Sequence, residues 1–306
     1  MTEIDTLNHR YGISGQVVFK EGPGGLVIVE VNNADANATI TLQGGHLMSW
    51  APRGSQPVIW LSKAAKIGPG KSIRGGVPVC WPWFGPHPEE SSFPAHGFAR
   101  TALWDVIASE ATIGGDTLLV LRLVQNDVTR SRWPYSSQLT MHMTLGKKLG
   151  IDLVTRNTGD IPFTIGEALH TYFDVGDARE ISIHGLSGCE YIDKVDGGIR
   201  KRQTGPVTFS AETDRIYINT AADCLIDDPI LGRRIHVSKQ GGRSTVVWNP
   251  WNEKAAKMGD LGDEGYLRMV CVESANAADN LAAIAPGDEH RLQVSYRIEP
   301  LPALHR

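Results

Sequence analysis

Between residues 139 and 145 the chain alternates. Leu139, Met141, Met143 and Leu145 fall on one side and Thr140, His142 and Thr144 on the other, the period of two that a half-buried strand requires. Short β-rich runs recur at 26–31, 38–42, 118–124, 151–155, 181–184, 246–248, 269–272 and 292–298, most of them bounded by Gly, Pro, Asn or Asp. Helical periodicity is scarce: 214–218 and 253–258 have room for a turn or two, and no long amphipathic stripe follows any strand. The pattern excludes a parallel α/β fold and predicts an all-β protein, a large antiparallel β-sandwich or barrel. Strand signals run past the midpoint with no repeat and no Pro/Ser-rich linker, so 1–306 is expected to be a single domain.

Composition narrows the function. With 306 residues, 41% of them hydrophobic and 21% charged, the chain has material for a large core. A net charge of −4 and a pI near 6.2 give no electrostatic reason to expect nucleic acid or an acidic membrane as partner. The first ten residues are polar and acidic, unlike a secretory signal, and no apolar run is long enough to span a bilayer. Cys80, Cys189, Cys224 and Cys271 stand apart without a CxxC pair, as reduced structural thiols of a cytoplasmic protein would.

Candidate chemistry concentrates in three places. Residues 68–100 are dense in Gly, Pro, aromatics and charge, the composition of a long structured loop, and such loops are disproportionately functional. There Arg74 precedes Gly75-Gly76, where the backbone can turn tightly beside a guanidinium. Trp81, Trp83 and Phe84 are suited equally to the face of a sugar ring and to core packing. His96 and Arg100, four apart, would face the same way in an extended segment. Arg74 and Arg100 together would form an anion clamp. The second place is 166–174, where His170 lies between Leu169 and Thr171; a histidine so placed is more often a satisfied core group than a catalytic one. The third is 269–276, where a β-run ends on Glu273, a strand-end carboxylate flanked by apolar residues, costly to bury unless paired and in such surroundings raised in basicity. Trp248 and Trp251 add aromatics, and Asp214, read alone, is a turn carboxylate.

Taken together, Gly44-Gly45-His46, IRGGVPVCWPWFGPHP, PAHGFAR, ALHTYFDV, ETDRIY, VWNPW and CVESAN resemble, in order, the hexose-6-phosphate mutarotases (glucose-6-phosphate 1-epimerases) of the aldose 1-epimerase superfamily. The resemblance spans roughly residues 40 to 290. It implies a galactose mutarotase-like β-sandwich that interconverts the α and β anomers of aldohexose 6-phosphates, with no cofactor and no metal, and a monomer whose partner is that small molecule. Carried over, His170 and Glu273 are catalytic, and Arg74, His96, Arg100 and Asp214 bind substrate. One departure is Ala95, where some members carry a substrate-binding Gln. Under this reading Glu273 takes the C1 hydroxyl proton and His170 protonates the ring oxygen, which requires a His170 pKa not far below 6.5. An epimerase of unphosphorylated aldoses and a non-catalytic carbohydrate-binding protein are the alternatives.

Overall fold

Antiparallel pairing organises residues 1–301, which a computed structural model of the chain describes. Two eight-stranded sheets dominate. The back sheet runs in the order Ser182–His184, Cys224–Asp228, Arg233–Gln240, Glu289–Pro300, Leu149–Asn157, Ser137–Leu145, Thr117–Leu123 and Trp104–Ala111. The front sheet runs Ile199–Arg202, Glu190–Asp193, Thr213–Tyr217, Ser244–Asn249, Met269–Asn276, Glu167–Leu169 and Val79–Cys80, with Tyr172–Asp174 also paired to Met269–Asn276. Four strands between Val17 and Pro52 form a third sheet, and Phe163–Ile165 pairs with Ala282–Ile284. The all-β sandwich expected from the alternation is the architecture found.

The alternation works as anticipated in Ser137–Leu145, where Leu139, Met141, Met143 and Leu145 are buried and the intervening Thr and His are only partly so. In Met269–Asn276 it vanishes because both faces are covered and every residue is buried. Val270 and Val272 enter the core between the sheets. They meet Val247, Leu169 and Tyr217 of their own sheet and Leu139, Leu153, Ile235 and Tyr296 of the other. Met269 and Cys271 face the opposite way, clustered with Tyr172 and Trp248. Ala275 faces with them, beside Ala168, Ile216 and Val246.

Of residues 214–218, expected to make a helical turn, 214–217 lie instead in strand Thr213–Tyr217, hydrogen-bonded on both sides by Glu190–Asp193 and Ser244–Asn249. Neighbours on two edges decide the conformation of so short a segment over its local propensity. The 253–258 turn is real and belongs to helix α3, Trp251–Met258, ended by Gly259 in the left-handed conformation. Two helices went unanticipated, α1 at Glu3–Tyr11 and α2 at Asp127–Arg132 in chain order before α3. Each starts at a reciprocal cap, Thr2 with Asp5 and Asn126 with Thr129. Neither is long enough to display an apolar stripe, and α1 buries no residue.

Segment 68–100 is mostly irregular, as composition suggests, yet it is stapled into the sandwich. Val79–Cys80 joins the front sheet, and the buried Trp81 donates its indole N–H to Thr155 Oγ1 of the back sheet at 3.0 Å. Trp81 and Trp83 are thus core residues, and Phe84 is left to face outward. No helix among the described residues is long and apolar enough to cross a membrane.

Candidate active site

Strand register assembles the site. On the outer face of the front sheet, Ile192 pairs with Ile216, Ile216 with Val246, and Val246 with Glu273. The next row along the strands is Asp214, Trp248, Cys271 and Tyr172. Leu169 pairs with Ser274 and Tyr172 with Cys271, so counting inward from both ends puts His170 opposite Glu273 and extends the first row by one side chain. Side chains alternate along 168–173. Leu169 and Phe173 enter the core, Thr171 bonds the buried Tyr296 hydroxyl at 2.7 Å, and His170 faces outward. The ladder itself is broken there, because His170 N–H donates to Pro78 and Tyr172 N–H to Gly76. That detour ties the catalytic-looking strand to the loop carrying Arg74.

His170 Nδ1 lies 3.4 Å from Glu273 Oε1, with side-chain exposures of 12% and 1%. The imidazole stacks on the Tyr172 ring, centroids 4.9 Å apart and planes 8° apart, and meets the edges of Trp248 and His96. Tyr172 hydroxyl accepts from Arg74 at 2.9 Å, and Arg74 also pairs with Asp260 at 3.1 Å. Nδ1 of His170 and Oε2 of Glu273 are buried without a hydrogen-bond partner. Elsewhere buried polar atoms are almost always satisfied.

Burial sets the protonation of the pair. It pushes Glu273 well above the usual carboxyl range, aided by Asp214 and opposed by Arg100. It pulls His170 well below 6.5, aided by His96, Arg100 and Arg74. The expectation of a His170 pKa not far below its ordinary value fails, because desolvation penalises both charged forms at once. Burial thus favours the neutral form of each group. His96 is neutral too, brought to about 4 by burial and then by Arg100 and Arg74. Its Nδ1 accepts from Gly85 N–H at 3.3 Å, so its proton is on Nε2.

A cavity of about 550 Å3 collects all six residues singled out from the sequence: Arg74, His96, Arg100, His170, Asp214 and Glu273. The segment around His96 is not extended, as assumed, but turns with positive φ at His96 and Gly97. Gly97 is obligatory there, since an added Cβ would sit 1.9 Å from the Trp81 carbonyl. Both His96 and Arg100 nonetheless reach the cavity. Arg100 is held by the carbonyl of Ala95 at 2.7 Å, so position 95 acts here through its backbone. Asp214 is a cavity carboxylate, not a turn residue, and burial raises its pKa. Sequence reasoning passed over Lys194 and Lys254, which line the cavity beside Asp214, and Asp260, the partner of Arg74. Only the strand register and the placement of α3 bring them in, and neither is written in local composition.

The cavity thus brings together a carboxyl and an imidazole 3.4 Å apart, aromatic rings, two guanidiniums and a second carboxylate. Comparison with known proteins gives the family. The sequence profile of the family described as aldose 1-epimerase matches residues 27–297. An Escherichia coli K12 protein named "putative glucose-6-phosphate 1-epimerase" is 40% identical over 83% of this chain and 84% of its own length. A Cenchrus ciliaris protein of the same name is 33% identical over 92% and 91%. The crystal structure of a Salmonella typhimurium protein, YeaD, described as a "putative mutarotase", superposes with a TM-score of 0.88 at 32% identity, covering 98% of this chain and 100% of that one. The chain belongs to the aldose 1-epimerase family and is an enzyme that interconverts sugar anomers.

Proposed function

We propose that the substrate is an aldohexose 6-phosphate, and that Glu273 and His170 open and reclose its ring. The carrying observation is the order of groups along the cavity. Neighbouring strands carry Asp214, then Trp248, then Glu273, then the His170 segment, and Arg74 bonds Tyr172, the ring on which His170 stacks. In a hexopyranose 6-phosphate C6 branches from C5, next to ring oxygen O5, while C2 lies on the other side of C1. With His170 at O5 and Glu273 at the C1 hydroxyl, the phosphate falls on the arginine side and the C2 and C3 hydroxyls on the Asp214 side.

The reaction then uses the single proton of the pair. The cyclic anomer is met by carboxylate and imidazolium. Glu273 accepts the C1 hydroxyl proton as His170 delivers one to O5, the C1–O5 bond breaks, and the open-chain aldehyde faces a neutral acid and a neutral imidazole. Rotation about C1–C2 and the reverse transfers close the other anomer. Burial, which favours the neutral pair, lowers the energy of the open-chain side. Arg100 lowers the Glu273 pKa and so restores the ionised state needed at the start. His96, a neutral Nε2–H donor, orients a sugar or phosphate oxygen without giving up its proton. The free thiols are consistent with a reducing, cytoplasmic setting, and one core taking residues from Val17 to Tyr296 is consistent with a single domain.

Anomer exchange measured by NMR on glucose 6-phosphate and on glucose tests this reading. Faster exchange of the phosphorylated sugar, lost in Glu273→Gln, is expected. Equal rates for both sugars would make the enzyme an epimerase of free aldoses, and an active Glu273→Gln enzyme would remove the base.

A further inference from the structure

One group at the site has no part in proton transfer. Cys271 lies two residues before Glu273 on the same outer face and pairs across the sheet with Tyr172 and Trp248. One ligand atom each from His170, Cys271 and Glu273 lie within 4.8 Å of one another. Cys271 is wholly buried, and burial, with Glu273 second, holds its thiol well above the ordinary range. As a plain core cysteine it needs no partners. The two atoms beside it do: Glu273 Oε2 and His170 Nδ1 are buried and unpartnered.

We propose that His170, Cys271 and Glu273 form a latent site for a thiophilic divalent cation, zinc above all, and that occupation inhibits the enzyme. The donor set is imidazole, thiolate and carboxylate, three protein ligands with one position left open, which suits zinc. Bond lengths of roughly 2.1 Å to nitrogen and oxygen and 2.3 Å to sulfur put tetrahedral ligand atoms about 3.4–3.6 Å apart. His170 Nδ1 and Glu273 Oε1 already stand 3.4 Å apart. Sulfur completes the set by moving inward by roughly an ångström, within reach of a side-chain rotation. On binding, the cation exchanges water for the three donors, the thiol proton and the proton shared by the pair pass to solvent, and no electron is transferred. Metal and substrate then compete for the same two side chains, an inhibition that rests on the acid–base role given to them above.

Binding and inhibition are measured separately, so that failure of the one is distinguishable from failure of the other. Cadmium, a spectroscopic substitute for zinc, is titrated into reduced protein and its ultraviolet thiolate charge-transfer absorption recorded. Wild type and Cys189→Ser, a control at a distant thiol, are expected to show one such band at one equivalent, weakened by saturating glucose 6-phosphate. Cys271→Ala is expected to lack it, to keep its anomerisation rate, and to need at least about tenfold more zinc for half inhibition, the smallest loss that removal of a ligand should bring. Absence of the band in wild type, or its survival in Cys271→Ala, overturns the site. A band that depends on Cys271 without inhibition by zinc retains the site and refutes the assignment of His170 and Glu273 to catalysis. Should Cys271→Ala misfold, Cys271→Ser, with nearly the same volume and a poorer metal donor, takes its place.

Discussion

In the proposed mechanism a buried carboxyl and a mostly buried imidazole 3.4 Å apart pass one proton between them, and much of the chemistry follows from where it sits. Replacing either removes the acid or the base but not the fold. Glu273→Gln and His170→Asn should each lower kcat by about 10²–10⁴-fold, with a melting temperature close to wild type for Glu273→Gln, since a neutral amide replaces an acid that burial already holds towards its neutral form. NMR exchange and thermal melting check both halves. Arg100 offers a cleaner test of the phosphate than Arg74, because Arg74 also braces Tyr172 and Asp260 while Arg100, among the described residues, bonds only to the Ala95 carbonyl. A charge-assisted hydrogen bond contributes about 1.5–3 kcal/mol, so Arg100→Ala should raise KM for glucose 6-phosphate roughly 10- to 100-fold without a matching rise for glucose, while kcat falls for both sugars because Glu273 loses the charge that favours its ionised form. An equal rise in KM for both sugars would place Arg100 on the ring instead. At this scale the sequence was legible through its motifs. His170 on its own resembles a core histidine, and structurally it nearly is one, stacked and mostly buried. Lys194 and Lys254 were invisible because nothing local distinguishes a cavity lysine from a surface one.

Elements explain how two unremarkable strands produce that pair. Residues 167–174 stay in pleat with Met269–Asn276 while their backbone hydrogen bonds are diverted at 170–172 to Pro78 and Gly76. His170 is therefore aligned by register and anchored by the loop. Thr171, on the opposite side of the pleat, fixes the segment through its hydroxyl contact with Tyr296. Thr171→Val would strand the Tyr296 hydroxyl in the core, at a cost of about 1–3 kcal/mol. Urea unfolding should register that loss with an unchanged m-value, and kcat should fall with it as His170 loses its support. A stable, fully active Thr171→Val enzyme would show that the loop alone holds His170. Alternation made most strands readable from sequence, and both-face burial made 269–272 readable as a continuous apolar run, whereas the polar residues that follow hid the continuation of the strand to Asn276. Pairing was not readable: 214–218 has the polarity of a turn, and only its two neighbours make it a strand. The caps of α1 and α2 were present as Thr2/Asp5 and Asn126/Thr129, but helices of six to nine residues carry too few apolar positions to announce themselves.

Across the whole molecule, the loop and the sheets meet at a third histidine that never touches the cavity. His46 donates from Nε2 to the Gly75 carbonyl at 2.9 Å, and its Nδ1 is buried without a partner. Gly76 makes room for it, since a Cβ there would fall 2.1 Å from Nε2. Burial, outweighing that hydrogen bond and assisted by Arg100, brings the His46 pKa to about 4. The unfolded chain takes up this proton near 6.5, so between pH 6.5 and about 4 the unfolded state binds more protons and stability falls with pH. One group contributes about 1.4 kcal/mol per pH unit in that window, or roughly 3 kcal/mol across it. His290, raised by its bond to Glu167, has the opposite sign, its stabilisation present below 6.5 and lost as pH rises. Raw acid melting mixes the two. His46→Gln separates them, because a glutamine amide can still donate to Gly75 but has nothing to protonate. Wild type should be the more stable of the two at pH 7.5, and its margin should shrink steadily below pH 6.5, as read from urea midpoints at half-unit intervals. A margin that stays constant down to pH 4.5 would mean that His46 is charged in the folded protein, and that the turn at Gly75-Gly76 leaves it open to water.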